Sequence, residues 1–361
     1  MHVVTVVGAR PQFVKAAALS RAIAGYGGGI RESLVHTGQH YDYAMSEQFF
    51  QQLGLPAPCA NLEVGSGSHG AQTGAIMQGL ETLLPGLSAD IVLVYGDTNS
   101  TLAAALTAAK LAIPIAHVEA GLRSYRRGMA EEVNRVVTDS LSDLLFCPTQ
   151  AAASALRAEG HGDDVHLVGD VMLDVFRSVL TELDGDAERK ALGVASHGYA
   201  LVTIHRAETV DDAACLAAVL QGLTILARRM PVVLPLHPRT RNTMNRMGLA
   251  MPAGVQVVDP APYKGMVALL QAAAVVVTDS GGLQKEALFA GKPCVTIRDE
   301  TEWSETLEGG WNRLSPPRSE GLVDAVDAAL HAVKGPMPDY GGGQAAQRIV
   351  DVLARWQGPS S

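Results

Sequence analysis

The chain has 361 residues, enough for two domains at roughly 150 residues each. Its 28 Lys and Arg against 37 Asp and Glu leave a formal charge of −9, which excludes a global basic field for nucleic acid or an anionic membrane surface. Hydrophobic residues at 47% and charged residues at 18% exclude a disordered chain, and the 37 glycines suit buried parallel strands joined by tight turns to helices.

The apolar run at 3–7 follows no cationic leader and reads as a first strand rather than a signal peptide. Through Gly8-Ala9-Arg10-Pro11 it leads into a helix over about 12–24, with Pro11 in the first turn, where a missing N–H costs nothing. Ile91–Tyr95 leads through Gly96-Asp97-Thr98-Asn99 into an alanine-rich helix over about 100–111, and Ile115–Val118 and Leu144–Cys147 continue the series. Strands alternating with helices predict right-handed βαβ units and a parallel sheet. The pattern pauses near Val168-Gly169-Asp170, and 181–198 reads as a polar connection. It restarts with strands at 199–204, 232–235, 255–258, 275–278 and 294–297, and a last helix at about 344–356 follows Gly341-Gly342-Gly343. The expected fold is α/β, two doubly wound domains of similar size meeting at a cleft. No window reaches the ~18 uninterrupted apolar residues of a membrane span. The four cysteines lie far apart with no Cys-x-x-Cys, so free thiols in a reducing cytoplasm are expected.

Open α/β sheets bind ligands at the carboxyl ends of their strands, so the residues just after each strand carry the functional information. The turn Gly8-Ala9-Arg10-Pro11-Gln12 can offer backbone N–H groups and a helix dipole to an anion, with Arg10 and Lys15 adding charge. It is neither Gly-x-Gly-x-x-Gly nor a Walker loop, which disfavours dinucleotide and P-loop readings. Arg10 could equally pair with a carboxylate. Asp97, Glu119 and Glu131 follow successive strands and are expected to converge on one wall, where like charges packed in partial burial push at least one carboxyl upward, giving an acid and a base. In the second half, His205-Arg206 and His237-Pro238-Arg239 end successive strands and can meet a pyrophosphate. Ser280 can cap a helix whose Gly281 and Gly282 permit close approach of a phosphate, with Glu286 one turn on, placed to accept ribose hydroxyls. His36 and His40 flank Thr37-Gly38-Gln39, but no His-Glu-x-x-His or Cys/His cluster supports a metal site.

Together these residues resemble the non-hydrolysing UDP-N-acetylglucosamine 2-epimerase family. The shared segments run from Gly8-Ala9-Arg10-Pro11 and Thr37-Gly38-Gln39-His40 through Tyr95-Gly96-Asp97-Thr98, His117-Val118-Glu119-Ala120-Gly121-Leu122-Arg123 and Glu131-Glu132-Val133-Asn134-Arg135. They continue through His205-Arg206, His237-Pro238 and Thr278-Asp279-Ser280-Gly281-Gly282 to Arg298-Asp299-Glu300-Thr301-Glu302, in the family's order. The resemblance implies a GT-B architecture of two Rossmann-like domains, 1–168 and 169–343, with a helix at 344–358 crossing back to the first. It also implies a homodimer, a UDP-sugar as partner and no cofactor. Asp97, Glu119, Glu131 and His205 match the residues assigned to catalysis, and Arg10, Lys15, Arg206, Ser280, Gly281, Gly282 and Glu286 fall on the substrate side.

The implied chemistry eliminates UDP across C1–C2 to a bound 2-acetamidoglucal, then re-adds it after reprotonation on the other face. The C2–H lies beside no carbonyl, so its acidity must come from positive charge developing at C1. Cations and helix N-termini would then hold the leaving diphosphate, while carboxylates stabilise the oxocarbenium-like centre and move protons. On this expectation Asp97 and Glu131 transfer protons, Glu119 gives electrostatic support and His205 meets the diphosphate.

Three departures qualify the match. The family's Gly-Thr-Arg-Pro-Glu is Gly8-Ala9-Arg10-Pro11-Gln12 here, and its Thr-Glu-Arg-Pro-Glu is Thr301-Glu302-Trp303-Ser304-Glu305, so a ligand-binding arginine is absent. Tyr41-Asp42-Tyr43-Ala44-Met45-Ser46 differs from members activated by a second substrate molecule, so no obligatory activation by UDP-GlcNAc is expected. This pattern resembles a branch that includes epimerases of UDP-2,3-diacetamido-2,3-dideoxyglucuronate. A GT-B glycosyltransferase, a hydrolysing epimerase and a binding protein without catalysis are the rival readings.

Overall fold

In the computed structural model, which describes residues 1–39, 54–195, 197–317 and 321–358, the apolar runs form two wholly parallel sheets flanked by helices. The first contains β1 (His2–Val7), β2 (Arg31–His36), β3 (Ala60–Asn61), β4 (Ile91–Tyr95), β5 (Ile115–Val118), β6 (Leu144–Cys147) and β7 (Val165–Leu167), in the order β3-β2-β1-β4-β5-β6-β7. The second contains β8 (Tyr199–Thr203), β9 (Val232–Pro235), β10 (Val255–Val258), β11 (Ala273–Thr278), β12 (Cys294–Thr296) and β13 (Asn312–Leu314), in the order β10-β9-β8-β11-β12-β13. Strand order reverses between β1 and β4 in one sheet and between β8 and β11 in the other. Those are the two places where a crevice opens at the strand ends.

By contact the chain divides into two units, 1–175 with 339–361, and 176–338. The division falls inside the helix Val171–Glu182, a little beyond the pause in the strand pattern. Small residues bring helix and sheet close in the first unit. Ala103, Ala104, Ala105 and Ala108 of the helix Asn99–Lys110 are fully buried beside Val92 and Val94. In the second unit Val202, Val277 and Val295 pack with Leu223 and Val326. Each such valine or leucine contributes roughly 1.5–3 kcal/mol on removal from water.

Four strands escape a reading of apolar runs. β2 carries Arg31 and Glu32, and Glu32 finds an internal partner in the Thr5 hydroxyl at 2.5 Å. β3, β7 and β13 are only two or three residues long. The polar stretch at 181–198 also contains a helix, Gly185–Ala191, started by the Asp184 side chain accepting the Ala187 N–H at 3.0 Å.

The last helix, Ala345–Arg355, belongs to the first unit and packs against the helix Arg10–Tyr26. Its buried Ala345, Ala346, Ile349, Val350 and Leu353 form one apolar stripe. No residue at its own N-terminus caps it. Asp174 does so from far away in sequence, accepting the N–H of Ala345 at 3.1 Å and of Ala346 at 2.7 Å. Beside it, Arg348 donates to the Val168 carbonyl at 3.0 Å, and Asp170 N–H donates to the Tyr340 carbonyl at 3.0 Å. Gly169, at φ 98°, admits this crossing, since a Cβ there would lie 2.7 Å from Gly341 Cα. Replacing the remote cap, Asp174→Ala, is expected to lower stability by about 1–2 kcal/mol in urea denaturation. Amide hydrogen exchange over 345–355 should speed up more than elsewhere; unchanged exchange there would contradict the assigned role.

Candidate functional site

At the β1–β4 reversal the two strand-end turns are joined by one side chain. Gln12, 1% exposed, accepts the N–H groups of Gly8 at 2.8 Å and Ala9 at 3.1 Å through Oε1. Its Nε2 donates to the Tyr95 carbonyl and to Thr101 Oγ1, both at 2.9 Å. The amide therefore consumes the two N–H groups that the sequence offered to an anion. Gly8 itself is dictated by space, because a Cβ would collide with the hydroxyls of Ser100 and Thr37, which bond each other at 2.8 Å. Arg10, on the first turn of the following helix, is exposed.

Asp97 and Glu119 come together at the ends of β4 and β5, each with a cation. Lys15 Nζ pairs with Glu119 Oε2, and Arg135 Nη2 reaches Asp97 Oδ2 at 2.6 Å. Arg135 also holds Glu132 at 2.8 Å, while Asn134 Nδ2 donates to the Asp97 carbonyl at 2.9 Å. Burial pushes the Asp97 carboxyl above the ordinary carboxylate range; the Arg135 guanidinium opposes this only in part, and the neighbouring Glu119 adds to it. Glu131 is exposed on the first turn of the helix Ala130–Leu141. Three and four residues on, Asn134 and Arg135 share its helical face, and both grip Asp97. Glu132 is buried instead, accepting the N–H groups of Ser124 at 2.9 Å and Tyr125 at 2.8 Å, and these bonds outweigh burial and hold it below the usual range.

At the β8–β11 reversal the joining side chain is Asp279, fully buried after β11. Its Oδ2 accepts the N–H groups of His205 and Arg206 at 2.8 Å each, and its Oδ1 lies 3.1 Å from His205 Nδ1. Burial alone would raise the Asp279 carboxyl; the His205 imidazole and the two backbone N–H groups outweigh it and hold it low. With Nδ1 turned toward Asp279, Nε2 lies on the other edge of the half-exposed His205 ring, which sits 5.5 Å from that of His237. Ser280 caps the helix Gly281–Phe289, its Oγ accepting the Leu283 N–H at 3.4 Å. A Cβ on Gly281 would strike Glu302, whereas one on Gly282 would meet nothing nearer than Ser280 Oγ at 3.9 Å, so ligand access is open at Gly282. Arg206 lies 3.7 Å from Glu302, which Arg298 holds at 2.8 Å. Glu286, farther along the same helix, is only 8% exposed.

Trp303, standing where the resemblance expects an arginine, is buried with the Lys285 ammonium 3.5 Å above its ring, a cation–π contact that turns this position inward. Sequence reasoning overlooked Gln12, Asn134, Arg135 and Asp279 as organisers, although all lie inside the motifs; buried polar residues at strand ends were the available signal. His40 and the segment from Tyr41 to Ser46 lie outside the described residues. Among the described residues no group of three or more His, Cys, Asp or Glu could hold a metal ion, and no helix is long and apolar enough to cross a membrane.

The chain matches the family described as UDP-N-acetylglucosamine 2-epimerase over residues 26–354. It is 46% identical to the UDP-2,3-diacetamido-2,3-dideoxy-D-glucuronate 2-epimerase of Pseudomonas aeruginosa, over 98% of this chain and 100% of that one. It is 37% identical to the UDP-N-acetylglucosamine 2-epimerase of Methanocaldococcus jannaschii, over 98% and 99%. A crystal structure of the Methanocaldococcus jannaschii UDP-GlcNAc 2-epimerase in complex with UDP-GlcNAc and UDP superposes with a TM-score of 0.91 at 36% identity, covering 99% of this chain and 100% of that one. The Neisseria meningitidis UDP-GlcNAc 2-epimerase bound to UDP-GlcNAc gives 0.90 at 28% identity, covering 99% and 100%. With the family match covering 26–354 and relatives above 30% identity aligned over 98% of the chain, the chain belongs to the UDP-N-acetylglucosamine 2-epimerase family.

Proposed function

We propose that the protein inverts C2 of a UDP-linked 2-acetamido sugar without net hydrolysis, working as a cytoplasmic homodimer like the family in general. The observation that carries this reading is Asp97, a carboxyl with raised proton affinity held in place by Arg135 beside the Glu119–Lys15 pair. Such a group suits a step in which one proton must be taken and another returned.

In the forward half, the C1–O bond breaks with its electron pair going to UDP, while the C2 proton passes to a carboxylate and a C1–C2 double bond forms. In the return half, a proton arrives at the opposite face of C2 and the UDP oxygen re-forms its bond to C1. Asp97 and Glu131 are assigned the two proton transfers, which their placement on and beside one gripping helix face supports. Glu119, neutralised by Lys15 at rest, stabilises positive charge at C1. His205, steadied by Asp279, and Arg206 take the diphosphate together with the helix N-terminus at Gly281 and Gly282, which is open at Gly282, and Glu286 takes the ribose. Within the substrate class, the identity to the Pseudomonas aeruginosa relative favours the 3-acetamido uronate over UDP-GlcNAc.

Incubation with each of the two sugar nucleotides in D2O, followed by NMR, tests the reading. Deuterium at C2 without net UDP release is expected, faster for the uronate. Stoichiometric UDP with free sugar would indicate hydrolysis, and inertness without an acceptor would indicate a transferase. Asp97→Asn should abolish C2 deuteration. Because a raised carboxyl destabilises the fold increasingly as pH climbs through its titration, the same variant should melt no lower than the parent at neutral pH. If Asp97→Asn and Glu131→Gln both exchanged the C2 hydrogen normally, the assignment of proton transfer would be wrong.

A further inference from the structure

Two residues before Glu119, His117 lies on β5 with its side chain fully buried. Its Nε2 is 2.8 Å from the Gly96 carbonyl oxygen, which has only lone pairs to offer. Its Nδ1 is 2.7 Å from Asp139 Oδ1. The other Asp139 oxygen accepts Arg123 Nη1 at 2.6 Å and the Gly121 N–H at 3.2 Å, so Asp139 is filled with donors as an ionised carboxylate is. Burial by itself would raise that carboxyl; His117 and Arg123 outweigh it and hold it low. Both ring nitrogens thus face acceptors. A neutral imidazole would set one lone pair against another in a dry interior, where an unmatched acceptor is costly.

We propose that His117 is a buried imidazolium that acts as a positioning residue, clamped between Asp139 and the Gly96 carbonyl so as to fix the peptide that presents Asp97.

The surrounding charges are consistent with a resident cation. Asp139, on the helix Ala130–Leu141, shares its charge between His117 and Arg123, and Arg123 in turn donates twice to Glu159, at 2.7 and 2.6 Å, at the end of the helix Gln150–Ala158. Cys147, on the adjacent β6, is a neutral thiol pushed up to about 12 by burial. Just beyond β5, the Glu119–Lys15 pair is internally balanced, and Asp97 is matched by Arg135.

The consequence for the site follows from peptide geometry. The Gly96–Asp97 bond is trans, so its N–H points opposite to its C=O. With the carbonyl drawn inward by His117, the Asp97 N–H faces away from it, and among the described residues that N–H has no hydrogen-bond partner. Gly96 accommodates the turn at φ 60°, its own N–H held by the Val118 carbonyl at 2.9 Å. Asp97 therefore brings two groups to the strand end, a carboxyl and an oriented donor. The protonation of His117 is independent of the proposed reaction; only its kinetic consequence rests on that reading.

Proton–nitrogen correlation NMR of the full chain labelled with 15N-histidine tests the protonation directly. Hydrogens on both His117 nitrogens are expected at neutral pH, because each nitrogen faces an acceptor. A bare ring nitrogen at neutral pH would overturn the proposal. Two variants test the positioning role. His117→Gln places an amide nitrogen where Nε2 stands and keeps the donor to Gly96, whereas His117→Asn mimics Nδ1 and loses it. His117→Asn should lower kcat by about 100-fold with KM little changed, and His117→Gln should restore much of that loss. Equal losses tracking equal falls in thermal midpoint would mean a merely structural histidine. If the labelled protein proved inactive on both sugar nucleotides, the functional reading would fail while the NMR result still decided His117.

Discussion

In each sheet, one buried side chain ties together the two strand-end turns at the reversal of strand order. Gln12 joins the turn after β1 to the end of β4, and Asp279 joins the turn after β11 to the turn after β8. Parallel strands diverge at such a point because their connections run to opposite faces, leaving backbone groups without ladder partners. An unpaired buried amide costs about 1–3 kcal/mol, so something must satisfy these groups before the crevice can exist. The two solutions differ in charge. A neutral amide serves the first unit, which already holds a crowd of carboxylates. A carboxylate serves the second, where it also holds the turn that carries His205 and Arg206.

The net charge of −9 takes on a different meaning at this scale. The sequence reading placed Lys15 with Arg10 as free positive charge for a phosphate. Instead Lys15 is committed to Glu119, Arg135 to Asp97 and Glu132, and Arg123 to Asp139 and Glu159. Carboxylates that must sit close together at the strand ends need these counter-charges, or their mutual repulsion would neutralise them by protonation. The cations of the first unit therefore hold the acids ionisable and in place. In the second unit, Gly282 and the far nitrogen of the His205 ring are open to an anion.

How much was legible in the sequence depended on the physical origin of each feature. Strands such as Ile91–Tyr95, Ile115–Val118 and Val232–Pro235 stand out because both sheet faces are covered, which forces continuous apolar runs. β2 was hidden by Glu32, which pairs with Val3 in the register and finds the Thr5 hydroxyl two positions farther along β1, a fact of strand pairing rather than of local sequence. The acids and histidines were visible because reactive side chains recur directly after strands. Their holders were not, since Arg135 reaches Asp97 from a later helix and Gln12 reaches Tyr95 across 83 residues. Trp303 was visible as a departure from the family pattern, but its burial against Lys285 required the packing around the helix Gly281–Phe289.

Glu119 shows what the arrangement must withstand. It adopts φ 73°, a left-handed conformation that disfavours any side chain and costs a residue other than glycine about 1–2 kcal/mol. The strain persists because its surroundings leave no alternative. The N–H groups of Glu119 and Ala120 both donate to the Phe146 carbonyl, at 3.0 and 3.1 Å, pinning the bend to β6. Gly121 follows at φ 83°, a second left-handed step that returns the chain to Arg123 and Asp139. A glycine at 119 would relax the backbone but would strand the Lys15 ammonium, 13% exposed, without its partner. The left-handed glutamate is thus where backbone strain and ion pairing meet: removing its side chain would relieve the first only by breaking the second.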